Sequence, residues 1–393
     1  MKLQRLRIAM LAHSTNPRGS VVHALELGDA LAALGHDVVV HAPDPSGAGF
    51  FRNTRCRTAT VPARPVAGGL FALVEARIAE YVDYFVGPRA ERFDLYHAQD
   101  AISGNGLARL REGGAIGGFL RTVHHLDAFD DPRLAARQAR AMTAADRVLC
   151  VSRLWQEALA RDYGIAAARV GNGVDTDRFS PEPGALDGAL RARLGLGGSP
   201  VYLSVGGIET RKNTARILEA FVLVRKSRPS ARLVIAGGAS LLDHSAARTA
   251  FDAALRAYGL DAGPGTAVIP TGPLADAEMP VLYRLADALV FPSLREGFGL
   301  VVLEAMASGI PAIVSRAPPF TEYLAEDECL WVEPSSATEI AAAMLATGEE
   351  PTRRRLADAG RRVCLRHSWP ASARQHQEIY AEWLCSSREA AHA

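Results

Sequence analysis

The chain has 393 residues, of which 48% are hydrophobic and 22% charged, and a formal net charge of +1. That length suits two globular domains with ample core. The near-neutral balance excludes bulk electrostatic attraction to nucleic acid or to an anionic membrane. Five scattered cysteines without a Cys-x-x-Cys spacing point to neither a zinc site nor a disulfide framework, so a reducing, cytoplasmic setting is expected. The apolar part of residues 1–12 is too short for a signal peptide, and no apolar run is long enough to span a bilayer.

The first predicted strand covers residues 8–12, followed by a loop at 13–20, a helix from about Val21 to Leu34 and a second strand at 37–41. This βαβ opening implies a parallel sheet with right-handed crossovers. Ligands bind such sheets at the carboxyl ends of the strands, so the 13–20 loop is a site candidate on topology alone. Residues 68–86 carry apolar positions at helical spacing. Glu75, Glu80 and Asp83 make that helix acidic, so it is expected to pack in the core, with no support for a peripheral membrane contact. Further strands are predicted at 93–97, at 120–125 with His124 and His125 at its end, and at 147–152. Asp175 and Asp177 form an Asp-x-Asp after a strand and a turn, which reads as turn chemistry with no metal. Residues 182–199 are rich in Pro and Gly and read as the junction between domains.

The βα pattern then repeats. A strand at 201–205 leads into Gly206-Gly-Ile-Glu-Thr-Arg-Lys-Asn213 and a helix to about Ser227. Lysine is scarce here: Lys2, Lys212 and Lys226 are the only three. Arg211 and Lys212 stand at a helix start, where the dipole disfavours cations unless an anion is bound, which argues for a phosphate. Strands follow at 232–236, ending at Gly237, at 267–269, before Leu274, at 288–291, 311–314 and 330–332, and a last helix runs from about Pro370 to Leu384.

The most informative stretch is Pro292-Ser-Leu-Arg-Glu-Gly-Phe-Gly-Leu-Val-Val-Leu-Glu-Ala-Met-Ala-Ser-Gly309. A strand, a glycine-containing loop with Gly297 and Gly299, and a helix start at Leu300 and Val301 make a ready anion site. The helix is apolar nearly all round and is expected to be buried, yet Glu304 lies in its middle. A buried carboxylate needs donors, and the hydroxyls of a ribose or a sugar would supply them. Glu296 is a second carboxylate on the same approach.

The string Pro-Ser-x-x-Glu-Gly-Phe-Gly-x-x-x-x-Glu-Ala-Met-Ala-x-Gly, with Glu296 and Glu304 separated by seven residues, resembles the donor signature of family 4 retaining glycosyltransferases. The resemblance implies the GT-B fold: two Rossmann-like α/β parallel-sheet domains facing a central cleft, with the C-terminal helix crossing back to the first. On this sequence that gives an acceptor-side domain at 1–180, a nucleotide-sugar domain at 181–366 and a crossover helix and tail at 367–393. It implies that Glu304 binds the nucleotide ribose and that Glu296 holds the transferred sugar. Lys212 falls on the family's phosphate-clamping Lys. Gly207 occupies the usual Arg position, and Arg211 supplies the second charge. Gly19-Ser20 stands where the family has paired glycines, and Thr122-Val-His124-His125 resembles a Thr-x-His-Asp segment whose His faces the sugar; either His could point inward. The reacting residues implied are His124, Glu296, Lys212 and Arg211. The donor-binding residues implied are Gly19, Gly206, Gly207, Arg211, Lys212, Gly237, Leu274, Glu296, Gly297, Phe298, Gly299, Leu300, Val301 and Glu304.

The activity implied is transfer of a sugar from a nucleoside diphosphate to a hydroxyl of a glycan, lipid or small-molecule acceptor, with retention of configuration. The co-substrate is the nucleotide sugar, with no cofactor, no metal and no nucleic-acid partner. A double displacement would need a carboxylate nucleophile near the anomeric carbon, and none is evident, so front-face attack is the scheme implied. Three other readings stand beside it. A nucleotide-sugar epimerase would need further acid/base groups. A NAD-dependent oxidoreductase would show Gly-x-Gly-x-x-Gly after the first strand, which is absent. A two-domain sugar-binding protein would normally carry an export signal.

Overall fold

The computed structural model describes residues 5–88, 90–238 and 244–392. The chain separates into two units, 1–173 with 369–393 and 174–368.

The first unit is built on β1 (Arg7–Leu11), β2 (Asp37–Asp44), β3 (Arg57–Pro62), β4 (Leu95–Ala98), β5 (Leu120–Val123), β6 (Arg147–Cys150) and β7 (Ala168–Arg169). Its helices are α1 (Gly19–Ala33), α2 (Leu70–Val86), α3 (Ala101–Glu112), α4 (Pro132–Thr143) and α5 (Arg153–Tyr163). The sheet is parallel, in the order β3-β2-β1-β4-β5-β6-β7. Its central strands are short apolar runs because helices cover both faces. The acidic helix α2 turns Val74, Ile78, Tyr81 and Phe85 inward against Ala9, Leu11, Tyr96 and Phe119, so it packs in the core as its pattern predicts. Local signals fix the helix starts: Asp100 and Ser103 form a capping box on α3, and Asp131 caps α4 ahead of Pro132.

The second unit holds β8 (Val201–Val205), β9 (Arg232–Ala236), β10 (Val268–Gly272), β11 (Ala288–Phe291), β12 (Ala312–Ser315) and β13 (Leu330–Val332). Its helices are α6 (Asp187–Leu194), α7 (Thr214–Arg225), α8 (Ser245–Ala257), α9 (Glu278–Leu285), α10 (Leu300–Ala307), α11 (Ala337–Ala346) and α12 (Glu350–Arg366). The order is β10-β9-β8-β11-β12-β13, again all parallel. The Pro- and Gly-rich stretch 182–199 carries α6 and lies inside this unit.

The last helix, α13 (Trp369–His392), belongs to the first unit. Trp369, Ser372, Ala373, His376 and Tyr380 of this helix are buried. Tyr380 Oη meets His97 Nδ1 at 2.8 Å, and Ser372 Oγ donates to the Gly171 carbonyl at 2.6 Å.

Candidate functional site

In the second sheet the chain lays down β8, β9 and β10 to one side, then returns to place β11, β12 and β13 on the other. The crevice at such a reversal, beyond the carboxyl ends of the strands, is where open α/β sheets bind ligands. The loops after β8 (residues 206–213) and β11 (residues 292–299) leave the sheet on either side of this point, and the Leu294 amide joins them by donating to the Arg211 carbonyl at 2.8 Å. Three neighbouring strand ends are stitched together. Gly206 and Gly207 amides both donate to the Ala236 carbonyl, and the Gly237 amide donates to Gly272. Leu274 follows directly, half-buried, just past β10.

This stitching explains the departure at Gly207. Its φ is +75°, and a Cβ there would lie 3.0 Å from the Gly238 carbonyl oxygen and 3.3 Å from that of Gly237. An arginine at that position would be strained in this backbone. At Gly206, with φ of +122°, a Cβ would strike the aliphatic stem of Lys212 at 2.6 Å. The loop is thus shaped to lay Lys212 flat along its own backbone.

Lys212 is buried, and Nζ lies 2.7 Å from Glu296 Oε1 and 4.5 Å from the centroid of the Phe291 ring. Arg211, more exposed, reaches the same Oε1 at 3.1 Å and Glu209 Oε2 at 3.2 Å. Buried Glu209 also has His244 Nε2 at 3.4 Å. Burial lowers the Lys212 ammonium below the ordinary lysine range, partly offset by Glu296. Burial alone would raise Glu296, but Lys212 and Arg211 outweigh it and hold the carboxyl below its usual range. Both predicted cations and the predicted sugar-holding carboxylate therefore form one ionised cluster, a contact the sequence does not reveal.

Gly299 is the N-cap of α10, and a Cβ there would lie 2.6 Å from the Phe320 ring. Among the described residues no side chain caps this N-terminus, so the Leu300 and Val301 amides of the first turn keep the anion-binding character expected of them. Phe298 is fixed twice by Tyr323: the rings stack at 4.5 Å with 8° between planes, and Tyr323 Oη donates to the Phe298 carbonyl at 3.2 Å. Gly297 stays half-buried beside it.

Glu304 corrects the expectation of a fully buried helix. Val302, Leu303, Ala305, Met306 and Ala307 are buried, but Leu300, Val301 and Glu304 are only half-buried and share one face at i, i+1, i+4 spacing. The carboxylate is not stranded among apolar side chains: Tyr283 Oη donates to Glu304 Oε2 at 2.7 Å. Asp175 does what its sequence context predicts, with Oδ1 accepting from the amides of Asp177 and Arg178 in a local turn.

In the first unit, Gly19 is the exposed first residue of α1, with nothing within 4 Å of where a Cβ would sit. β5 ends at Val123, so His124 and His125 lie beyond the strand and not within it as the predicted span 120–125 has them. His124 turns inward: Nε2 meets Gln99 Oε1 at 3.0 Å and its ring lies 4.6 Å from that of His23. Burial, then the neighbouring His23 and Arg121, hold its imidazole well below the usual histidine range, so it is neutral. His125 is exposed beside Asp127, at 3.3 Å. Behind His124 stand His23, His97 and His376, all fully buried. They come from α1, β4 and α13, and no sequence spacing joins them. Glu209, Tyr283 and Tyr323 were also missed; Glu209 alone had a usable signal, an acid two and three residues before the paired cations.

The family described as "Glycosyltransferase Family 4" matches residues 17–178, and that described as "Glycosyl transferases group 1" matches residues 188–363. A D-inositol 3-phosphate glycosyltransferase of Xylanimonas cellulosilytica is 27% identical over 415 residues, covering 96% of each chain. A GDP-mannose-dependent alpha-(1-6)-phosphatidylinositol monomannoside mannosyltransferase of Mycolicibacterium smegmatis is 32% identical over 182 residues, which is 44% of this chain and 45% of that protein. Against it, and against a mannosylfructose-phosphate synthase of Agrobacterium fabrum with 38% covered, the chain spans less than half of the relative's length. Among solved structures, a sucrose-phosphate synthase of Thermosynechococcus elongatus superposes with a TM-score of 0.76 at 24% identity, covering 97% of this chain and 100% of that one. HepE of Anabaena, solved in complex with UDP-glucose, gives 0.74 at 18% identity, with 97% and 100% covered. With one family match in each unit and full-length likeness in both sequence and fold, the chain belongs to the family 4 glycosyltransferases and has their GT-B fold.

Proposed function

We propose that the protein is a hexosyltransferase that moves a sugar from a nucleoside diphosphate to an acceptor hydroxyl, with retention of anomeric configuration and without a metal ion. The observation that carries this reading is the Lys212–Arg211–Glu296 cluster, which joins the loop after β8 to the loop after β11 at the reversal of the second sheet. The leaving diphosphate gains negative charge in the transition state. Two cations and the amides of residues 299–301 are the groups that would stabilise it, in place of an ion. Glu304 is proposed to accept from the ribose diol, and Glu296 to hold the transferred sugar. His124, as a neutral imidazole, is proposed to hydrogen-bond that sugar.

The test is nucleotide release from GDP-mannose, UDP-glucose and ADP-glucose, each with and without excess EDTA, with NMR of the product's anomeric configuration. GDP-mannose comes first because relatives are named for their dependence on it. Release that persists in EDTA and gives a retained product is expected. Binding without release would leave a sugar-binding protein. An epimerised nucleotide sugar would leave an epimerase. Loss in EDTA restored by manganese would overturn the metal-free reading.

A further inference from the structure

We infer that Tyr283 is a positioning residue for the donor site: it fixes the Glu304 carboxylate in the orientation that accepts the ribose of a nucleoside diphosphate. The inference rests on the reading of Glu304 given above. Tyr283 lies on α9, and its ring is fully buried. Its hydroxyl donates to Glu304 Oε2 at 2.7 Å, the distance of a charge-assisted O–H···O⁻ bond. A phenylalanine would fill the same volume, so packing alone gives no use to the hydroxyl. The acceptor it meets is on the half-buried face of α10 that also carries Leu300 and Val301.

Tyr283 is itself held from behind. The Phe179 ring meets it edge-on, with centroids 5.7 Å apart and planes at 79°. Phe179 is held by the turn at Asp175, whose carbonyl accepts from the Phe179 amide at 2.9 Å. Arg178 anchors the same turn to the residues before α9, with Nη1 2.7 Å from Asp276 Oδ2 and Nη2 2.9 Å from the Asp276 carbonyl. A glutamate has three side-chain torsions to lose on binding a ligand. Here an aromatic hydroxyl with almost no freedom of its own takes up part of that ordering before the nucleotide arrives. The hydroxyl contacts the carboxylate and not the reacting atoms, so its effect belongs to nucleotide affinity and not to the transfer step.

The experiment compares Tyr283→Phe, Glu304→Gln and the double variant by calorimetry with UDP, GDP or ADP, whichever the unmodified protein binds most tightly. Turnover at saturating donor and thermal unfolding are measured beside it. Tyr283→Phe is expected to weaken the nucleoside diphosphate about threefold to tenfold, because binding must then order the Glu304 side chain that the hydroxyl otherwise holds in advance. Turnover at saturation should stay near that of the unmodified protein, while the unfolding temperature should fall by a few degrees, since the bond to Glu304 is lost from the folded protein as well. Because Tyr283 acts through Glu304, the double variant should bind no more weakly than Glu304→Gln alone. Unchanged affinity in Tyr283→Phe, or losses that multiply in the double variant, would overturn the positioning role and leave the reading of Glu304 intact. Full nucleotide affinity in Glu304→Gln would overturn the reading of Glu304 itself, and the inference with it.

Discussion

Glu296 and Lys212 form a buried ion pair, Oε1 to Nζ 2.7 Å, between residues that the donor reading gives to opposite tasks. One holds a sugar, the other a diphosphate. The carboxylate pairs with the cation that the donor reading gives to a phosphate. The two groups are 84 residues apart in sequence and meet because β8 and β11 are neighbours at the point where the sheet reverses.

This pairing sets the sign of a prediction. Glu296→Gln removes a negative charge beside Lys212 and Arg211, so bare nucleoside diphosphate should bind more tightly, by about threefold to tenfold. Sugar transfer should fall in the same variant, by about 100-fold, because the contact matters most as the sugar gains positive charge. Calorimetry with the bare nucleotide, set beside turnover, decides it. Weakened nucleotide binding in Glu296→Gln would show that the pair is not in competition with phosphate.

Lys212→Ala should lose donor affinity and transfer rate together, and it should also lose stability without any nucleotide present. Removing Lys212 leaves the buried Glu296 carboxylate held by the more exposed Arg211, so the cost should fall below that of a buried charge left wholly unpaired, about 3–5 kcal/mol. The double variant Lys212→Ala/Glu296→Gln should recover part of that loss while remaining inactive. Urea unfolding of the three proteins is the measurement. Equal stability of Lys212→Ala and the double variant would show that Glu296 without Lys212 carries no penalty.

Restoring the family's usual arginine should harm this chain. Gly207→Arg places a Cβ 3.0 Å from a carbonyl oxygen at a φ of +75°, and strain of this kind costs about 1–3 kcal/mol. The expected outcome is a lower unfolding temperature and weaker donor binding. A variant that binds UDP or GDP more tightly than the unmodified protein would show that the 206–207 loop can reopen around the side chain.

Acid should loosen the first unit before its carboxylates titrate. Burial lowers His23 to about 3 and His376 to about 4, and holds His97 well below the usual range. The unfolded chain therefore binds more protons than the folded one below about pH 6.5. Stability from these groups is complete above that pH and falls as pH drops toward 4, by up to about 1.4 kcal/mol per pH unit for each imidazole. Ordinary carboxylates take up protons only near pH 4, so a decline between pH 6.5 and 5 belongs to the histidines. Trp155, Trp369 and Trp383 lie in this unit and Trp331 in the other, so fluorescence-detected unfolding reports chiefly on the first. His376→Gln should flatten the slope; an unchanged slope would take His376 out of the linkage.

Much of this was legible in the residues themselves, and for physical reasons. β9, β11 and β13 begin and end where apolar runs meet Gly, Pro or polar residues, and their observed bounds are the ones the sequence predicts. β3 was not, because it lies at a sheet edge with most of its residues exposed, so its pattern is that of a loop. The cations at 211 and 212 were legible as residues out of place at a helix start. Their partner was not, since nothing local says which carboxylate the sheet order will deliver. Glu304 was singled out as a charge on an apolar helix, but its donor lies on α9, where a tyrosine among apolar neighbours looks like core. His23, His97 and His376 were invisible as a group because α13 brings the last of them from the far end of the chain.

The return of α13 to the first unit makes the second unit an insertion, entered at residue 174 and left at residue 368. Its whole chain emerges from the ribosome before the residues that complete its neighbour. The usual order, in which the N-terminal domain folds first during synthesis, is therefore reversed for the finished state. Residues 174–368 can close their core while the first unit still lacks Trp369, Ala373, His376 and Tyr380. Until those arrive, the face of the first sheet that carries His97 stands open to water and to chaperones. A nascent chain stalled between residues 369 and 380 should be held by such factors through residues 1–173, long after these have left the tunnel.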